Sequence, residues 1–137
     1  MPRLREIVER AYAPYVPRIG MRPLPMDDDY AARVARGQVW VARRPSVDAL
    51  IVLVPEDGYL LVDNVAVAPE AQRQGLGRRL LEFAEAHARA SGYDELRLYT
   101  NEKMVENRRL YGRLGYDELG RETIERRHAV WMRKRLT

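Results

Sequence analysis

The chain has 137 residues, of which 46% are hydrophobic and 32% charged, and this predicts one soluble domain over residues 1–137. It contains no cysteine, which excludes disulfides, thiolate metal sites and cysteine nucleophiles. No apolar run approaches the ~20 residues of a membrane span, and the first residues lack a signal-peptide core, so we expect a cytoplasmic protein without membrane contact. The net charge of +4 is spread along the chain, which favours a solvated surface over a nucleic-acid interface.

The first part of the chain predicts two helices separated by an irregular segment. Leu4, Ile7, Val8 and Ala11 recur at helical spacing and predict a helix that runs to about residue 13. The prolines and glycine between residues 14 and 25 predict a long loop. Aspartates at positions 27–29 can cap a second helix over residues 29–36, and the next residue, a glycine, ends it.

Three strands are predicted next, over residues 38–42, 49–54 and 59–67, with a turn at 55–58 between the last two. The third strand is largely apolar on both faces, which is typical of a central strand. An amphipathic helix over residues 75–91, a strand over 95–100 and a short helix over 104–114 follow. Two final strands are expected at residues 116–123 and 128–134.

These elements predict an α/β (α+β) fold of one domain. The strand–helix–strand order in the middle implies a parallel pair with a right-handed crossover. The hairpins on either side imply a mixed, mostly antiparallel sheet, flanked by helices.

The segment PEAQRQGLGRRLL, residues 69–81, joins the predicted central strand to the amphipathic helix. Gly75 and Gly77 allow the backbone to approach a ligand closely, and the N–H groups and dipole of a helix start favour an anion. Arg73, Arg78 and Arg79 add positive charge around this point. The pattern is suited to holding a pyrophosphate without a metal.

Four interpretations of this segment compete. A P-loop is excluded because no Gly-Lys-Ser/Thr occurs. A dinucleotide fingerprint is weakened because Leu80 occupies the position of its third glycine, although Asp94 or Glu95 lies near the expected acidic position. The pattern Q/R-x-x-G-x-G/A matches residues 72–77 in full. A plain strand-to-helix turn without a ligand is the fourth interpretation.

The segment NVAVAPEAQRQGLGRRLL and the downstream NEKMVENRRLYGRLGY together resemble the two conserved segments of the GNAT superfamily of N-acetyltransferases, in the same order and context. The resemblance extends over at least residues 59–133. It implies an acetyl-CoA cosubstrate, an amine acceptor and no metal. The implied pyrophosphate contacts are backbone amides of the loop, with Arg78 at the helix start: Arg73, Gln74, Gly75, Leu76, Gly77 and Arg78.

The resemblance also implies the remaining contacts. The pantetheine arm would bond the strand backbone at Val65, Ala66 and Val67, as an added strand does. Asn107 would contact the cofactor and Tyr111 would protonate the departing thiolate; four residues apart, both share one helix face. A phenol pKa of about 10 against about 8.5 for a thiol makes that transfer uphill unless the site alters it. A packed core tyrosine is the alternative for Tyr111.

No general base stands out. Asp63 lies on the predicted central strand, and Tyr59, Asp29 and Glu102 are weaker candidates. The two histidines have no metal-ligand spacing. The acceptor amine is not identified by any motif, and a small-molecule amine (an amino acid, a polyamine or an antibiotic) and a peptide amine all remain open.

One departure from the family concerns the start of the domain, because the usual first strand is missing or very short here. An edge of the sheet would then be exposed, or covered by a second copy in a homodimer. Three other functions remain open: a non-catalytic acyl-CoA-binding sensor, a basic nucleic-acid-binding domain and, more distantly, a dinucleotide oxidoreductase.

Overall fold

A computed structural model of the chain describes residues 2–43, 47–72 and 74–136. The helices are α1 (Pro2–Tyr12), α2 (Tyr15–Ile19), α3 (Tyr30–Ala35), α4 (Leu76–Ala90) and α5 (Val105–Arg113). The strands are β1 (Val39–Arg43), β2 (Val47–Pro55), β3 (Leu60–Val67), β4 (Glu95–Asn101), β5 (Asp117–Ile124) and β6 (Arg127–Arg135). Two 3₁₀ turns, Leu24–Asp27 and Pro69–Ala71, precede α3 and α4 respectively.

The strands form one sheet in the order β1-β2-β3-β4-β6-β5. Only β3 and β4 run parallel, because α4 crosses between them; the other neighbouring pairs are antiparallel. The predicted mixed, mostly antiparallel sheet flanked by helices is therefore confirmed.

Each face of the sheet is covered by a separate apolar core. On one face the helical spacing of α4 buries Leu81, Ala84 and Ala88 against β2, β3 and β4. On the other face α1 buries Ile7 and Val8 in the same way. A sheet covered on both faces explains why β3 is apolar on both of its sides.

The proline-rich segment is more ordered than predicted. It contains α2 and the 3₁₀ turn Leu24–Asp27 instead of a continuous irregular loop. Pro17 lies in the first turn of α2. Backbone N–H groups have no acceptor within the helix there, so the lack of an N–H in proline costs no hydrogen bond. The predicted cap of α3 is confirmed, since the Asp29 carboxylate accepts from the Ala32 N–H at 3.1 Å.

The sheet begins at β1, and α1 begins at Pro2, the first residue that the structure describes. Trp40 of β1 packs there against Phe83 and His87 of α4, with ring centroids 5.7 and 4.8 Å away. Phe83 remains 37% exposed. The homodimer across this edge stays a prediction.

Candidate functional site

The sheet splits between its two parallel strands. β3 and β4 are paired only over three positions, Leu60–Leu96, Leu61–Arg97 and Val62–Leu98. Beyond these positions β3 stays paired with β2 and β4 stays paired with β6, so a cleft opens between the carboxyl ends of β3 and β4. Ligands of α/β sheets commonly bind at such places.

A β-bulge in β3 marks the start of this cleft. Val62 is paired with Leu53 and Asn64 with Val52, so Asp63 is an extra residue without a partner in the register. A bulge of this kind redirects the side chains that follow it. Val62 accordingly joins the α4-side core and Ala66 the α1-side core, and Asp63 lines the cleft.

An open groove lies between β3, α1 and α5, on one side of the split in the sheet; it is called the groove below. Residues of the strand, the loop and α5 line it, among them Tyr12, Val65, Ala66, Val67, Gly77, Asn107 and Tyr111. Since β4 has left β3 here, no strand pairs with the outer edge of Val65–Val67, where an extended ligand could add. The Val65 carbonyl accepts from the Tyr12 hydroxyl at 3.3 Å and the Val67 carbonyl from the Gln72 amide at 3.1 Å.

The loop before α4 has the conformation that an anion site requires. Gly75 adopts φ = 78°, in the left-handed region, and caps α4 without a side-chain hydrogen bond. The first helical bond runs from the Arg79 N–H to the Gly75 carbonyl at 3.0 Å, so the N–H groups of Leu76, Gly77 and Arg78 have no intrahelical acceptor. These donors point out of the helix start, where the dipole favours negative charge.

The other predicted loop residues are placed as follows. Gln74 and Arg78 are exposed, and the Arg78 guanidinium pairs with Glu82 at 3.4 Å on the surface of α4. Arg73 lies outside the described residues. Gln72 has a role that was not expected from the sequence: its side-chain amide donates to the Val67 carbonyl at 3.1 Å and connects the loop to the end of β3.

Behind the groove lies an inner cleft, open on one side, which we call the chamber. Groove and chamber share the residues Tyr12, Val65, Met104, Asn107 and Tyr111, so the two spaces adjoin. The predicted pair on α5 therefore lies at the junction between them.

Tyr111 is held at this junction by packing. Its ring meets Tyr116 edge-on at 5.9 Å. Burial, and to a smaller extent the neighbouring Tyr15, raises the pKa of Tyr111 to about 12. The site thus supplies a phenol that stays protonated, and is a weaker acid than a phenol in water.

The chamber opens on its far side into a third space, the mouth, lined by the segment before α3, the β5–β6 turn and Asp63. Chamber and mouth share Leu24, Pro25, Asp63, Tyr99 and Arg127. Groove, chamber and mouth therefore adjoin one another along the split of the sheet, and we call the three together the passage.

Asp63 lies at the junction of chamber and mouth. Its carboxylate accepts from the Arg33 guanidinium at 3.3 Å and from the Tyr99 hydroxyl at 3.4 Å. Burial raises the pKa of Asp63, an effect that Arg33 opposes. Its side chain is only 14% exposed.

A buried hydrogen-bond chain, also missed by the sequence analysis, fixes the helices to β3. The Tyr12 hydroxyl donates to the Asn64 amide oxygen at 2.7 Å, and the Asn64 amide donates to the Tyr30 oxygen at 2.8 Å. The Tyr30 hydroxyl donates in turn to the Pro25 carbonyl at 2.6 Å. This chain positions the 3₁₀ turn that roofs the chamber.

The described residues contain no group of three or more His, Cys, Asp or Glu side chains placed to hold a metal ion. None of the helices among them is long and apolar enough to cross a membrane.

The chain is similar to known proteins in both sequence and fold. Residues 35–118, more than half of the chain, match the family described as acetyltransferase (GNAT) domain. A segment of 57 residues is 44% identical to mouse N-alpha-acetyltransferase 80; it covers 42% of this chain and only 17% of the mouse protein.

Among solved structures, the fold is similar to the ribosomal-protein-S18-alanine N-acetyltransferase of Escherichia coli. The TM-score is 0.77 at 22% identity, over 99% of this chain and 87% of that one. The PaiA N-acetyltransferase of Thermoplasma acidophilum, solved in complex with coenzyme A, also gives a TM-score of 0.77, at 17% identity over 96% of this chain and 90% of that one. Because both identities are below 25%, these likenesses concern the fold.

Proposed function

The chain belongs to the GNAT acetyltransferase family, and we propose that it transfers an acetyl group from acetyl-CoA to a primary amine by direct attack. The observation that carries the proposal is the passage through the split sheet. One end carries the anion-binding loop and the exposed edge of β3, and the other end opens to solvent at Asp63. Two substrates entering from opposite ends would meet beside Tyr111.

In this proposal the loop and strand hold the cosubstrate. The N–H groups at the start of α4, around Gly75 and Gly77, bind the pyrophosphate, and Val65–Val67 offer backbone groups to the pantetheine arm. Asn107, which lines both groove and chamber, adds a side-chain hydrogen bond. The residues fit the ligand because no side chain caps the helix start and the strand edge is not paired with β4.

The bound thioester supplies an activated acetyl group. In the reaction the amine nitrogen bonds to the acetyl carbon, the carbon–sulfur bond breaks, and the products are an amide, free thiol and the proton that the ammonium gave up. Tyr111 donates a hydrogen bond to the sulfur as negative charge develops on it. A backbone N–H of β3 stabilises the carbonyl oxygen.

The first experiment is a calorimetric titration with acetyl-CoA, with NADH and ATP as controls, followed by an amine screen for thiol release. We expect selective binding of acetyl-CoA and release of thiol with at least one amine. Binding without thiol release would favour the sensor instead. Equal binding of all three nucleotides, or none, would refute the transferase proposal.

The variant Gly75→Asp sharpens this experiment. It places a carboxylate where the phosphates should lie, and we expect acetyl-CoA affinity to fall by about tenfold or more. Gly58→Asp is the matched control, because both glycines have positive φ, +78° and +88°, with nothing within 4 Å of an added Cβ. Gly58 lies in the β2–β3 turn, so its variant carries similar strain and should keep its affinity.

A further inference from the structure

At the junction of chamber and mouth, two carboxylates share one guanidinium. The Arg33 guanidinium is shared by two carboxylates, Asp28 at 3.0 Å and Asp63 at 3.3 Å. Its third contact is the neutral side chain of Gln38 at 3.0 Å. One cation between two anions leaves a net charge of −1 at this point.

The other acidic side chains of the mouth are already paired. Asp27 is bound to Arg22 at 3.0 Å, and Glu125 lies 3.9 Å from Arg127. Arg127 itself donates to the Arg22 carbonyl at 2.7 and 2.8 Å, so its guanidinium is directed there. Arg126 also lines the mouth, so the excess of one negative charge belongs to the Asp28–Arg33–Asp63 group and does not extend to the mouth as a whole.

Of the two carboxylates, Asp63 is the one that faces the chamber. Among the described residues that line the chamber it is the only acidic one, whereas Asp28 lines the mouth alone. Asp63 is the extra residue of the bulge in β3, the strand that also borders the groove. A cation bound by Asp63 would thus lie on the passage towards Tyr111.

The rest of the chamber wall has few groups left for a polar ligand. Its apolar lining comes from five elements and includes Leu24, Val62, Leu98, Met104, Ile124 and Ala129. Asn64 is bonded to two tyrosines, Asn101 accepts from the Lys103 N–H at 3.0 Å, and His128 contacts Thr123 at 3.4 Å. A second charge entering the chamber would meet no free counter-ion there.

We propose that Asp63 anchors the ammonium group of the acceptor, and that the acceptor is a primary amine with a single positive charge on an apolar body. This proposal rests on the transferase function proposed above. Under this proposal the acceptor is a monoamine with a hydrocarbon body. Polyamines and aminoglycoside-like amines have the same reactive group but carry several positive charges, and they are not expected to be acceptors.

The test uses the full chain loaded with coenzyme A and three probes: 2-phenylethylamine, its uncharged isostere 2-phenylethanol, and spermidine. We expect calorimetry to show 2-phenylethylamine binding about tenfold or more tighter than either of the others, the effect of one charge-assisted hydrogen bond. In Asp63→Asn the affinity for 2-phenylethylamine should fall to that of 2-phenylethanol. With acetyl-CoA, the variant should show a raised KM for the amine and an unchanged KM for acetyl-CoA.

Two controls separate an anchor from a structural role. Asp57→Asn removes the same charge from the exposed β2–β3 turn and should leave all three affinities unchanged. Burial raises the pKa of Asp63, so its ionised form is disfavoured by folding at neutral pH, and Asp63→Asn should not lower the thermal midpoint.

The outcomes distinguish this proposal from the one on which it rests. Failure to bind acetyl-CoA would overturn the transferase function itself. Intact acetyl-CoA binding would overturn the acceptor proposal alone if spermidine bound best, if 2-phenylethylamine did not bind, or if Asp63→Asn bound it as the native chain does.

Discussion

Tyr111 presents a protonated hydroxyl to the junction of groove and chamber, and its acidity decides what it can do. Its pKa of about 12 lies above the value of about 8.5 for a thiol. Complete proton transfer from Tyr111 to a thiolate is therefore unfavourable in the ligand-free site, more so than for a phenol in water. A hydrogen bond to the developing thiolate needs no such transfer, so we favour that role.

The variant Tyr111→Phe removes this hydrogen bond and keeps the ring that packs on Tyr116. We expect kcat to fall about 10- to 100-fold, the usual effect of one hydrogen bond to a charged group, with acetyl-CoA affinity nearly unchanged. Steady-state kinetics and calorimetry on the same preparation measure both. Tyr93→Phe, at the far end of the sheet beside Gly58, is the control and should leave kcat unchanged. Equal kcat in the two variants would remove Tyr111 from the mechanism.

At the scale of elements, the turn of the β5–β6 hairpin requires positive φ at two residues whose side chains do not favour it. Ile124 and Arg127 are paired, so Glu125 and Arg126 form a two-residue loop, and their φ values of 47° and 68° are both positive. Such a type I′ turn prefers Asn-Gly. Since both residues also line the mouth, the strain lies beside the proposed acceptor entrance.

Replacing Glu125→Asn together with Arg126→Gly should relieve this strain. We expect the free energy of unfolding to rise by about 1 kcal/mol, allowing for the flexibility that glycine adds to the unfolded chain. Chemical denaturation followed by circular dichroism measures it. Glu125→Val is the opposite control, because a β-branched residue is poorly accommodated at positive φ and should lower stability. If the Asn-Gly variant were no more stable than the Val variant, the turn would not be strained.

The elements differ in how far the sequence predicts them. The loop before α4 was predictable because its signal is local: an apolar strand, two spaced glycines and an amphipathic helix follow one another directly. Asn107 and Tyr111 were predictable as a pair because one helix face relates them. The structure places both at the groove, while their proposed roles stay predictions.

The Asp63 junction was not predictable in the same way. It joins Arg33 of α3, Asp63 of β3 and Tyr99 of β4, residues 30 and 36 positions apart. Its geometry further depends on a bulge, which the uniform apolar pattern of β3 does not reveal. The Tyr12–Asn64–Tyr30 chain escapes prediction for the same reason, since only the packed fold brings its members together.

At the scale of the whole molecule, polar groups are buried in the cores and along the passage, and many of them are tyrosine hydroxyls. The chain has eight tyrosines, and burial is the first cause of a raised pKa in six of them. Five of the six lie in the two cores or along the passage between them, and the sixth, Tyr15, borders the groove. Both cores and the passage thus depend on phenols that remain neutral.

This arrangement predicts loss of stability in alkaline solution. A phenol with a raised pKa holds its proton more tightly in the folded than in the unfolded chain. The resulting stabilisation is fully present below about pH 10, the value for an unfolded tyrosine, and is lost as the pH rises through the folded-state value, about 12 for Tyr111. We therefore expect stability to decline from about pH 10 upwards.

Tyrosinate absorbance and far-ultraviolet circular dichroism, recorded together against pH, test this expectation. If the buried phenols ionise only when the cores open, most of the absorbance change should coincide with the loss of ellipticity, because each tyrosinate formed in the folded state would lie in a low-dielectric core. An absorbance change centred near pH 10 with the ellipticity intact would instead mean that the phenols titrate freely in the folded chain. In that case both cores would admit water, and the raised pKa of Tyr111, on which its role as a hydrogen-bond donor depends, would be lost with them.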